Sequence, residues 1–279
     1  MFRYMAILLL CALSLIVLGA LVTREVQPLP GGFNAPLVST VQPTLIWLEQ
    51  AHVFMTWVVG GLTLGLIGWL QWRVRRPWPR SLGLAALLIL GLEGWLGMQG
   101  VRSSLSPAIG FFHASLAPVL FSILVAIAAG VIAQKERIQP LKDPGRPSFR
   151  SLTVAVSVLT LLQVVLGAAY RHGLLGVLTH ILNALVITLT VLVVSIPLIR
   201  AFPGHPSLRP AALGLAVVTA VQVSLGFGTF IVLLIGAGSS TTLSFLSVAH
   251  GATGAITLAA SLLLTILVWQ NLCSSNPKT

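Results

Sequence analysis

Of the chain's 279 residues, 56% are hydrophobic and 8% charged, and its mean hydropathy is +0.99. No soluble core hides that much apolar surface, so composition places the chain among polytopic membrane proteins. The formal charge of +11 does not signal nucleic acid, because the 16 Lys and Arg residues form no patch or motif and sort by side of a membrane.

Stretches long enough to cross about 30 Å of hydrocarbon are predicted near 4–23, 46–70, 81–101, 110–134, 151–171, 176–200, 209–235 and 243–269. With the N-terminus inside, the inner segments hold Arg3, Arg73, Arg75, Arg76, Arg80, Lys135, Arg137, Lys142, Arg146, Arg150, Arg200, Arg209 and Lys278. Only Arg24, Arg102 and Arg171 lie outside. The positive-inside rule then puts both termini in the cytoplasm and favours an even number of spans. The run from Met5 to Val22 after Arg3 is long for a secretory signal, and is read as the first span. Cys11 and Cys273 are expected to pack as small apolar residues rather than pair.

The first span ends in "IVLGALVTR" (16–24), and the motif echoes in later odd helices as "GWLGMQGVR" (94–102), "VVLGAAYR" (164–171) and "VSLGFGTF" (223–230). Three of these carry a polar residue four before the glycine, namely Glu93, Gln163 and Gln222. Each even helix carries one histidine near its outer end: His52, His113, His180 and His250. The pattern predicts an all-α protein of eight transmembrane helices, built as two pseudo-symmetric four-helix bundles over 1–140 and 141–279. Both halves start inside, so the repeats are parallel. The small residues beside these positions let backbones approach closely, for helix packing or for a flat macrocycle wedged between helices.

Four histidines at one depth, paired as His52 with His113 and His180 with His250, suit bis-imidazole haem ligation. Neutral imidazole is the ligating form, and apolar surroundings favour it. A proton path or a structural role is the alternative. Arg24, Arg102 and Arg171 follow the echoed glycine by four or five residues. They are candidates to pair with haem propionates, against simple snorkelling to the interface.

His172 reads as an outer-surface residue and His205, in an inner loop, has no assigned role. Glu93 occupies the slot that Gln163 and Gln222 fill elsewhere, so interhelical hydrogen bonding is expected of it. Glu49 stands one helical turn before His52 and has no counterpart, since Val177 and Ser247 precede His180 and His250 by the same three residues. The two pockets are therefore chemically unequal, with Glu49 either working on one haem or capping its helix.

Taken together, "LEQAHVF" (48–54), "FFHASLAPVLF" (111–121), "QVVLGAAYRHG" (163–173), "LTHILNAL" (178–185), "QVSLGFGTF" (222–230) and "SVAHGATGAI" (247–256) resemble the haem A synthase family. The resemblance implies a multi-pass protein of the bacterial cytoplasmic membrane. It implies oxidation of one methyl of haem O to the formyl of haem A, through a hydroxylated intermediate. His52 and His113 would hold the substrate haem O, delivered by haem O synthase, while His180 and His250 would bind a permanent haem B. Glu49 would be catalytic, as proton acceptor or electrostatic stabiliser, and the lipid bilayer and an electron partner of unknown identity complete the setting. Two positions depart from the family pattern: Val53 stands where members usually place Arg, and the outer loop 25–44 has no cysteine. A dihaem b-type electron carrier linked to quinol would use the same four histidines without needing Glu49.

Overall fold

The structure is a computed structural model that describes residues 1–26, 43–102, 106–132, 141–236 and 241–273. Among the described residues, eight helices are long and apolar enough to cross a membrane. They are α1 (Phe2–Val26), α2 (Pro43–Arg73), α3 (Pro77–Arg102), α4 (Pro107–Ile132), α5 (Phe149–Arg171), α6 (Val177–Ala201), α7 (Leu208–Leu234) and α8 (Thr241–Asn271). Each coincides with one of the expected spans to within a few residues at the ends. Three start on proline, which suits a first helical position because its missing N–H has no intrahelical acceptor there.

Packing runs round each half in turn. Helix α1 touches α2, α2 touches α3, α3 touches α4, and α4 returns to α1. The same circuit holds for α5, α6, α7 and α8. The halves meet along α4 and α8, flanked by α4 against α5 and α1 against α8. Two apolar clusters fill the rings, one built on Leu8, Leu66, Leu70, Leu124 and Ile127, the other on Val194, Leu198, Leu208, Leu215 and Val268. Outside them, large apolar side chains face outward all round, Trp72 at 93% exposure among them. Such a surface is stable only against lipid or another apolar phase.

The all-α expectation needs one small amendment. Leu141–Lys142 pairs in parallel with Leu272–Cys273, a two-residue clasp joining the segment between the halves to the end of α8. It forms because both segments leave the membrane on one side and need partners for their backbone groups. Beside it, buried Asp143 accepts the backbone N–H groups of Gly145 and Arg150, and the Arg150 guanidinium lies 4.1 Å over the Trp269 ring. Cys11 and Cys273 are both free thiols; Cys11 is partly buried, but Cys273, expected to pack as a small apolar residue, is exposed because it lies in the two-residue clasp beyond the end of α8.

His205 turns out to have a role. Its Nδ1 accepts the backbone N–H groups of Ser207 (3.3 Å) and Leu208 (3.2 Å), so the imidazole caps the start of α7 in place of the usual Ser or Asp.

Candidate functional site

The four histidines converge in the expected pairs. His52 on α2 faces His113 on α4, with ring centroids 6.4 Å apart and planes at 81°. His180 on α6 faces His250 on α8 at 6.1 Å and 76°. A hexacoordinate iron between two imidazoles needs about 2 Å to each nitrogen and roughly 1.1 Å from nitrogen to ring centre, or about 6.2 Å in all. Both observed separations lie within a few tenths of that. Among the described residues no group of three or more His, Cys, Asp or Glu side chains is placed to hold a metal ion directly, and two facing imidazoles are a donor set that suits a porphyrin iron.

Each ring rests on the glycine of the neighbouring odd helix. A methyl group placed on Gly19 would come within 3.0 Å of His52 Cε1, on Gly167 within 3.0 Å of His180 Cε1, and on Gly226 within 2.8 Å of His250 Cε1. At Gly97 the distance to His113 Cε1 is a comfortable 3.7 Å. The echoed glycines of the sequence are therefore cradles for the histidines, which goes beyond the close helix packing expected of them.

The residue four before each glycine touches the same ring. Gln163 donates its amide to His180 Nε2 (3.2 Å) and to the His180 carbonyl (3.0 Å), and accepts from Asn183 (2.8 Å). Gln222 donates to His250 Nε2 (3.3 Å), accepts from Thr253, and takes the His250 Nδ1–H on its own carbonyl (3.1 Å). Asn183 and Thr253 each follow their histidine by three residues, so both networks are local to one helix face. In α1 the matching residue is Leu15, whose backbone alone approaches His52. In α3 it is Glu93, whose Oε2 lies 2.7 Å from His113 Nδ1. That contact has ion-pair length without the alignment of a straight hydrogen bond. Glu93 was expected to bond between helices; its partner is a candidate iron ligand, and position alone could not say so.

Nδ1 of His52, His113 and His180 are shielded from water without a well-formed hydrogen bond, although the Leu15 and Gln163 backbones and the Glu93 carboxyl approach these rings.

Glu49 lies one turn before His52 but is exposed, on a face that the other described residues leave uncovered. Arg24 is buried at the end of α1, close enough to Arg171 at the end of α5 for the two charges to repel. Two cations held together at the rim of an apolar bundle suit an anionic ligand such as a carboxylate. Arg102 closes α3, and its side chain lies outside the described residues, as does the loop 27–42.

His172 overturns its expected surface position, being only 8% exposed. The chain leaves α5 through a tight turn in which Gly173 adopts φ +71°, and this tucks the imidazole onto Gly110 of α4, where no Cβ stands in the way. Burial first, then the Arg171 charge, hold its pKa down at about 4, so it is neutral at physiological pH. An imidazole of the second half thus lies one helical turn from His113 of the first.

No curated protein gives a significant match to the chain. A family model described as cytochrome oxidase assembly protein (COX15-CtaA) matches residues 34–178, more than half of the chain. The match takes in Glu49, His52, Glu93, His113, Gln163 and Gly167. Eight apolar helices and two facing histidine pairs stand around that matched segment, and the chain belongs to this family of cytochrome oxidase assembly proteins, the haem A synthase family.

Proposed function

We propose that the chain is a haem A synthase-like membrane oxidoreductase that oxidises a methyl group of haem O to the formyl group of haem A. The observation that carries this reading is the pair of imidazole pairs at 6.4 and 6.1 Å, each ring seated on a glycine, in a member of a haem A synthesis family. His52 and His113 would hold the substrate, haem O. His180 and His250 would hold haem B, which supplies one-electron chemistry when bound.

The chain's own share is positional and electrostatic. Gly19, Gly97, Gly167 and Gly226 leave room for the rings, and Gln163 and Gln222 hold the second pair in register. Their amide contacts on Nε2, at 3.2 and 3.3 Å, are at the long end for N–H donors and readily yielded to a metal. Arg24, Arg171 and Arg102 are the candidates to pair with propionates at the rim. Glu49, one turn from His52, is the candidate proton acceptor or electrostatic stabiliser at the ring edge. The repeated glycine–histidine contacts and the matching packing circuits support a duplication with halves 1–140 and 141–279. The basic inner segments support cytoplasmic termini, and the setting proposed is a bacterial cytoplasmic membrane, with haem O supplied by haem O synthase.

One observation favours a second reading, a quinol-linked dihaem b-type electron carrier: Glu49 is exposed rather than enclosed beside His52. Expression with a haem O supply, followed by extraction of the haems and identification by chromatography and mass, separates the two. Haem A that disappears in Glu49→Ala establishes the synthase. Haem B alone, about two per chain and indifferent to Glu49, establishes the carrier, and no haem at all refutes both.

A further inference from the structure

The residue four before each cradle glycine runs Leu15, Glu93, Gln163, Gln222 along the chain. Three of these side chains touch a candidate ligand ring, and Glu93 alone among them bears a carboxyl group. It is buried at 8% exposure, and its second oxygen, Oε1, is shielded without a hydrogen-bond partner. The polar interaction of this carboxylate is therefore concentrated on His113 Nδ1, 2.7 Å from Oε2. An ionisable group at this depth needs a functional or pairing reason to be there.

A carboxylate behind the distal nitrogen of an axial imidazole draws on its N–H proton and makes the iron-facing nitrogen more basic. The added electron density favours ferric over ferrous iron, and low-dielectric surroundings strengthen the effect. An amide donor on the ring, as Gln163 and Gln222 provide, has no charge with which to do this. The geometry points to Glu93 as the residue that sets the potential of the first site: through His113 it makes His52–His113 the lower-potential of the two haem sites. This rests on the haem-binding reading above. It assigns the direction of the energetic step between the sites, with electrons running downhill from His52–His113 toward His180–His250.

The test is an optical redox titration of the full-length protein, purified from membranes and loaded with haem B at both pairs. Two one-electron components are expected. Glu93→Gln should raise the lower one by about 60 to 120 mV, the reading of a ten- to hundredfold loss of ferric preference at about 59 mV per decade, and leave the upper one in place. Glu93→Asp, which keeps the charge but draws it back from Nδ1 by one methylene, should raise the lower component by a smaller amount. Wild-type protein that takes up haem but whose components ignore Glu93→Gln, or move together, refutes the assignment and leaves haem binding standing. Wild-type protein that takes up no haem refutes both. Should Glu93→Gln not fold, Glu93→Asp decides, and an unmoved lower component there overturns the proposal.

Discussion

Gly226→Ala is the sharpest probe of the glycine cradles. The new methyl carbon would stand 2.8 Å from Cε1, 3.3 Å from Nδ1 and 3.6 Å from Nε2 of His250. Carbon pairs settle at about 3.5–4.0 Å, so the ring must retreat by about 0.7 Å or more. The 6.1 Å separation from His180, matched to one iron, is then lost. Overpacking of this kind costs about 1–3 kcal/mol, offset by at most about 1 kcal/mol from replacing a helical glycine with alanine. With the full offset the net penalty is about 0–2 kcal/mol, whose upper end corresponds to roughly thirtyfold weaker haem binding at the second pair. Gly97→Ala is the internal control, since its methyl meets His113 Cε1 at an ordinary 3.7 Å and should leave binding at the first pair unchanged. Haem B titration followed by absorbance, with thermal unfolding in parallel, measures both. Equal losses in the two variants, or two fully bound haems in Gly226→Ala, would refute the cradle argument.

Two further outcomes are expected. Gly110→Ala, which pushes a methyl into the His172 ring, should lower the melting temperature by the equivalent of about 1–3 kcal/mol, and His172→Ala in the same chain should relieve part of the loss. At the start of α7, partial burial lowers the His205 pKa from its ordinary 6.5, so its contribution to stability is fully present above about pH 6.5 and is lost as pH falls through the lower folded value. His205→Ala should therefore destabilise the protein at pH 7.5 and make less difference at pH 5, and a gap in melting temperature that widens on acidification would contradict the cap.

The helices were legible because lipid leaves the backbone no alternative: an apolar run of that length must satisfy its own hydrogen bonds. The His52–His113 and His180–His250 pairs followed from repeat position, since equivalent slots on alternate helices of a four-helix ring face each other across its middle. What sequence concealed depends on contacts across helices. Glu93 occupies the same slot as Gln163, and only the facing ring reveals that one brings charge to a ligand and the other an amide. Similarly, His172 looks like a solvent-facing residue at a helix end until the Gly173 turn and Gly110 are seen together. His205 caps a helix that starts three residues downstream, a task for which Ser or Asp is the usual signal. Conversely, the exposure of Glu49 was hidden by a motif that suggests enclosure.

Helix α8 has a consequence for how the molecule is made. Its Ala255 and Ala259 lie in the apolar cluster of the first half, against α1 and α4, while its far end holds the clasp with Leu141–Lys142. Chains emerge N-terminus first, at about 5–20 residues per second. Helices α1 to α4 can close their own circuit first, but the face that α1 and α4 turn toward α8 stays against lipid until Ala259 has been translated. The apolar cluster of the first half is thus completed by the last helix. A ribosome that stalls within α8 leaves a closed ring of four helices with one docking face still bare.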